Sequence, residues 1–151
     1  MLMSIENNIS QKNINPIISL YKEGKFEYAL KKLSNLITIN LNEPFLYNLR
    51  GMIEIKLCHF EESIKSFNKA IELNSNYVEA YNNLGTSFIN LGEFNKAIEK
   101  LKIALKLKSD YVNAYNNLAS AYSDLGQYEE AIKYFYEVIK IEPNYPGAKE
   151  N

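Results

Sequence analysis

Apolar residues recur along the chain at intervals of three and four, the spacing of one helix face, and the pattern starts again every 34 residues. Phe26, Phe60, Phe94 and Tyr128 stand at that step. So do Ala29, Ser63, Ala97 and Ala131, then Leu33, Phe67, Leu101 and Phe135, and also Gly24, Cys58, Gly92 and Gly126. Tyr47, Tyr81 and Tyr115 form a further column, as do Tyr77, Tyr111 and Tyr145. Six aligned columns define an internal repeat. Each unit reads as two helices. In the third, Tyr81, Leu84, Gly85 and Phe88 share one face and Gly92 ends the helix. Phe94, Ala97, Ile98, Leu101, Ala104 and Leu105 then mark the apolar stripe of a second helix. First helices are predicted near 44–57, 78–91 and 112–125, and second helices near 26–39, 60–73, 94–107 and 128–141.

Small residues recur where paired helices must approach closely: Gly51, Gly85 and Ala119 on the first helices, and the column from Ala29 to Ala131 on the second. These residues read as core, not as sites. The ends break the pattern. Pro16 falls midway along the expected first helix, where proline removes an amide donor and clashes with the preceding turn. A shortened helix over about 16–22 is expected, with Asn15 as its cap and Pro16 at its first position. Residues 1–9 read as a flexible leader, polar in character through residue 14. The repeat domain is expected over 10–145, in units of about 10–43, 44–77, 78–111 and 112–145. Asn144-Tyr145-Pro146-Gly147-Ala148 echoes Asp110-Tyr111-Val112-Asn113-Ala114, so 146–151 reads as the start of a truncated fifth unit without a capping helix.

Composition narrows the function classes. Seventeen basic against eighteen acidic residues give a net charge of −1, which argues against nucleic-acid or anionic-membrane binding by bulk electrostatics. No apolar run reaches the roughly 18 residues of a membrane span. A single cysteine cannot form an internal disulfide and a single histidine cannot build a metal cluster. A cytoplasmic binder or scaffold is the expected class, with no catalytic residue, cofactor or metal. Cys58-His59 falls in a surface turn, and adjacent ligands cannot close a tetrahedral site.

Tyr81-x2-Leu84-Gly85-x2-Phe88 followed by Ala97-x3-Leu101 resembles the tetratricopeptide repeat, and Tyr115-x2-Leu118-Ala119-x2-Tyr122, Ala131-x3-Phe135 and Pro143 repeat the likeness. The resemblance covers about 10–145. It implies an all-α, right-handed α-solenoid of four helix-turn-helix units that binds a protein or peptide partner in a concave groove lined by the first helices. Two further functions fit the same pattern: the substrate-presenting N-terminal module of a larger transferase, and an end-to-end self-assembling structural protein, a homo-oligomer joined through its uncapped C-terminal repeat.

Asn48, Asn82 and Asn116 stand 34 apart on the first helices, as do Asn15, Asn83 and Asn117 with Leu49 interrupting. An asparagine amide offers donors and an acceptor, matching both groups of a peptide unit. Similar asparagine ladders occur in the tetratricopeptide domain of the enzyme that attaches N-acetylglucosamine to serine and threonine. That resemblance carries a peptide-backbone role to Asn83 and Asn117, and to Asn15. The chain holds 20 asparagines in all, so part of the column reflects composition. Phe45, Met52 and Ile55 are candidates for an apolar groove floor, and Glu79, Thr86, Ser120 and Asp124 for a more polar far end. Arg50, the only arginine, and Glu54 stand where other units carry Leu84 and Phe88, or Leu118 and Tyr122. They read as a semi-buried pair, with Arg50 also a candidate for an acidic group on a partner. Ile14 and Ile18 occupy places where the family's clamp for C-terminal carboxylates has charged residues, so that clamp is not expected.

Overall fold

Three glycines and one cysteine turn the chain between the two helices of each unit. The computed structural model describes residues 11–145, which form eight α-helices and no strand. These are α1 (Gln11–Lys22), α2 (Phe26–Thr38), α3 (Pro44–Lys56), α4 (Phe60–Leu73), α5 (Val78–Asn90), α6 (Phe94–Leu107), α7 (Val112–Asp124) and α8 (Tyr128–Ile141). The expected leader over 1–9 and the start of a fifth unit over 146–151 lie outside the described residues. From α2 onward every helix matches the sequence expectation to within one residue at each end.

The turns share one hydrogen-bond pattern. After α5, the Gly92 amide donates to the carbonyl of Ile89 and the Glu93 amide reaches back to that of Phe88 at 2.9 Å. This pattern satisfies two carbonyls at the end of the helix and needs a left-handed residue. Gly24, Gly92 and Gly126 supply it with φ of 73°, 72° and 72°. In the remaining turn Cys58 adopts φ 59°, and His59 donates to Glu54 in the same way.

The chain divides after Leu73 into two compact units, α1–α4 and α5–α8. Within the first, α1 packs on α2, α2 on α3 and α3 on α4. Leu33, Leu46, Ile53 and Phe67 are fully buried there. Gly51 lets α3 approach α4: a Cβ at that position would stand 2.6 Å from the Phe67 ring. Within the second unit, α5 packs on α6, α6 on α7 and α7 on α8, and α5 also touches α7. Leu84, Leu101, Leu118 and Val138 form its core, and Gly85 stands against Leu101 as Gly51 does against Phe67. Tyrosines tie first helices to the loops before them: the hydroxyl of Tyr47 donates to Leu41 and that of Tyr115 to Ser109, each at 3.1 Å.

The opening helix is not shortened. It begins at Gln11, so Pro16 lies in its interior, and Asn15 is an exposed helical residue instead of a cap. Pro16 leaves the Lys12 carbonyl without its helical donor, a cost of about 3 kcal/mol. The extra turn buries Ile14 together with Ile17. At about 1.5–3 kcal/mol for each buried isoleucine, that burial offsets the proline.

Candidate functional site

Asparagines on α5 and α7 meet within the second unit. The Nδ2 of Asn117 donates to the Oδ1 of Asn82 at 2.9 Å and to the Oγ1 of Thr86 at 3.2 Å. Thr86 sends its own proton to the backbone carbonyl of Asn82, so its oxygen is left to accept. That relay fixes which way the Asn117 amide points. Asn82 in turn donates to the Oδ1 of Asn83 at 3.4 Å. Asn82 is buried, whereas Asn83, Asn116 and Asn117 are half-buried on the same helices. Both hydrogens of Asn117 are thus spent inside the protein, and only its Oδ1 remains to accept from a visitor.

The amide row is therefore a half-internal network. An asparagine at one place in α5 bonds to the next place along in α7, a step of 35 residues. Columns of period 34 cannot reveal such a pairing, although the doublets Asn82-Asn83 and Asn116-Asn117 hold the signal. Farther along α7, Asn116, Ser120, Ser123 and Asp124 line a cleft of about 330 Å³ with Phe135 of α8. Glu79 is half-buried in the first turn of α5.

In the first unit the candidates are placed differently. Asn48 is buried, with its amide 3.8 Å from the Met52 sulfur. Phe45, Met52 and Ile55 are each half-buried along α3. Asn15 stands exposed on α1, and Ile18 is half-buried beside it.

Arg50 is engaged between α3 and α4. Its Nε donates to the Ser66 hydroxyl at 2.8 Å and lies 3.4 Å from a Glu54 carboxylate oxygen. Ser66 passes its proton to the other Glu54 oxygen at 2.6 Å. The guanidinium also sits over the Tyr47 ring, 5.5 Å from its centre. Ser66 was not legible as a partner, because its equivalents Lys100 and Tyr134 give no hint of a hydroxyl relay. Burial pushes the Glu54 carboxyl above the usual range, and its bond from Ser66 and the Arg50 charge only partly oppose that. Cys58 and His59 are both exposed, and the described residues hold no group of three or more potential metal ligands. No helix among them is long and apolar enough to cross a membrane.

Comparisons with known proteins agree with this architecture. The profile described as "Tetratricopeptide repeat" matches residues 112–145, and that described as "TPR repeat" matches 59–92 and 85–126. Together they span more than half of the chain. No curated protein sequence matches significantly. Among solved structures, one of MamA aligns with a TM-score of 0.77 at 26% identity, covering 91% of this chain and 74% of that one. TTC0263, a thermophilic TPR protein of Thermus thermophilus, aligns with a TM-score of 0.80 at 17% identity, covering 88% and 74%. The first TPR of Spaghetti (RPAP3), bound to the HSP90 peptide SRMEEVD, aligns at 0.69 and 23% identity, covering 71% and 85%. The last two likenesses speak to the fold alone. All-α, built of consecutive helix pairs and matched by both profiles, the chain belongs to the tetratricopeptide repeat family, whose fold serves generally as a scaffold for protein–protein interaction.

Proposed function

We propose that the chain binds an extended segment of a partner protein along the first helices of its repeats, and acts by binding, not by catalysis. The observation that carries this reading is the oriented amide row of α5 and α7. With both hydrogens taken by Asn82 and Thr86, the Asn117 side chain offers an acceptor held in one direction, suited to a peptide N–H. Half-buried Asn83 and Asn116 flank it. Such pre-ordering lowers the entropy cost of binding. Backbone contacts alone fall short: at about 1 kcal/mol net per hydrogen bond, a few bonds do not reach the roughly 8 kcal/mol of micromolar affinity. Partner side chains must add the remainder. In the first unit, Phe45, Met52 and Ile55 offer a separate apolar contact of the kind that supplies it.

The test starts from a partner identified by pull-down and mass spectrometry. Its affinity for the Asn83→Ala/Asn117→Ala double variant should fall about tenfold or more, equivalent to about 1.4 kcal/mol. Unchanged affinity in a variant of native helicity removes the amide row from the account.

A further inference from the structure

In the second unit, what α5 and α6 present to α7 is presented again, one period later, by α7 and α8. Asn82 and Thr86 of α5 receive the Asn117 amide. Their counterparts 34 residues on, Asn116 and Ser120, line the cleft of about 330 Å³ and receive no such amide among the described residues. The second helices show the same shift. Ile98 of α6 is 9% exposed and Leu101 fully buried, whereas Ile132 of α8 is 53% exposed and Phe135 only half-buried. Tyr128 and Tyr136 add exposed aromatic surface along α8. An interface formed once inside the unit is thus repeated, open, at the end of the fold.

The geometry points to a partner helix of defined pattern as its occupant. What fills the inner copy is the side of α7 that carries Ala114, Asn117 and Ala121. Both alanines are fully buried, and their small side chains let the helices approach closely. The fitting ligand is therefore an amphipathic helix with a small residue, an asparagine three positions on and another small residue four beyond. Its asparagine would donate to Asn116 and Ser120, and its small residues would lie against Ile132 and Phe135.

A second copy of the chain fits poorly. On α1, the one helix with no repeat packed before it, Lys12 and Ser19 stand where α7 has Ala114 and Ala121, and both are exposed. Docking α1 there would strip water from the Lys12 ammonium, and no carboxylate lies among the small-residue contacts to receive it. The polar face of α1 finishes its end of the fold, as terminal repeats do, whereas the α8 end carries no such substitution.

The experiment is a titration of the full-length chain with a fluorescent, lactam-bridged peptide copying residues 111–125, followed by anisotropy. Saturable binding is expected. It should weaken about tenfold when the peptide carries Asn117→Ala, the loss of about 1.4 kcal/mol, and disappear when the protein carries Ile132→Lys. Ile132 is exposed, so that variant keeps its fold, and it should leave the affinity of a groove-bound peptide unchanged. Absence of saturable binding, or binding indifferent to Ile132→Lys, overturns the proposal. So does a concentration-dependent dimer that Ile132→Lys abolishes, which would make the occupant a second copy. Binding seen only after removal of residues 146–151 would assign the surface to the chain's own end, and overturns it equally.

Discussion

Asn117 of α7 holds the Oδ1 of Asn82 on α5 at 2.9 Å, and Asn82 is only 5% exposed. Removing the donor strands a buried carbonyl, which costs about 1–3 kcal/mol, more than the bond contributes when both partners are present. Asn117→Ala should lower stability by that amount, and Asn82→Ala/Asn117→Ala by less than the two single losses together. Denaturant unfolding followed by circular dichroism measures the cycle. Losses that add to within about 0.5 kcal/mol would mean that the two amides are not coupled.

The column Gly51, Gly85, Ala119 should answer to substitution with opposite signs. A methyl at Gly51 would meet the buried Phe67 ring at 2.6 Å, and Phe67 has no room to retreat. Alanine is the better helix former by about 1 kcal/mol, but overpacking of about 1–3 kcal/mol outweighs it. Gly51→Ala should therefore destabilise by about 1–2 kcal/mol. In the fourth repeat Ala119 already carries the methyl, opposite the half-buried Phe135, and Ala119→Gly should cost about 0.5–1 kcal/mol. Thermal melts of both variants decide the matter; a stabilised Gly51→Ala would show that the ring can shift.

Seven of the eight helices were legible because aromatic, small and turn residues repeat at one step, so each unit supports the assignment of the others. Pro16 misled because local propensity was weighed without the burial of Ile14 and Ile17 that repays it. The candidate site was legible only as composition. Asparagine columns mark the right faces, but whether an amide points at a neighbouring helix or at solvent depends on packing between helices. That packing pairs Asn82 with Asn117 and not with Asn116. Ser66 shows the same limit: nothing local marks it as the relay between Arg50 and Glu54.

Cys58 carries a left-handed backbone, φ 59°, where the other three turns use glycine. A residue with a Cβ spends about 1–2 kcal/mol there, while glycine loses about 0.5–1 kcal/mol more entropy on folding. The balance favours glycine. Cys58→Gly should stabilise by about 0.5–1 kcal/mol, and Cys58→Ala, which keeps the Cβ, should be near neutral. Comparing the melting temperatures of the two variants checks this. A glycine variant less stable than the alanine one would place the strain elsewhere.

Glu54 should give the first unit a distinctive response to pH. Its carboxyl is held above the usual range by burial, so the folded chain binds its proton more tightly than the unfolded chain does. The sign follows from linkage: stability from this group is fully present below the ordinary glutamate value and is lost as pH rises through the raised one. Glu54→Gln cannot titrate, whereas the other carboxylates are shared by both proteins and cancel in a comparison. The stability of the wild type minus that of Glu54→Gln should therefore be larger at about pH 4 than at about pH 7. Arg50 and Ser66 temper the shift without reversing it, since burial is the largest contribution. Paired thermal melts across that range measure the difference. A difference that is flat, or that grows toward neutral pH, would mean that the Arg50 charge and the Ser66 hydroxyl outweigh burial at this carboxylate.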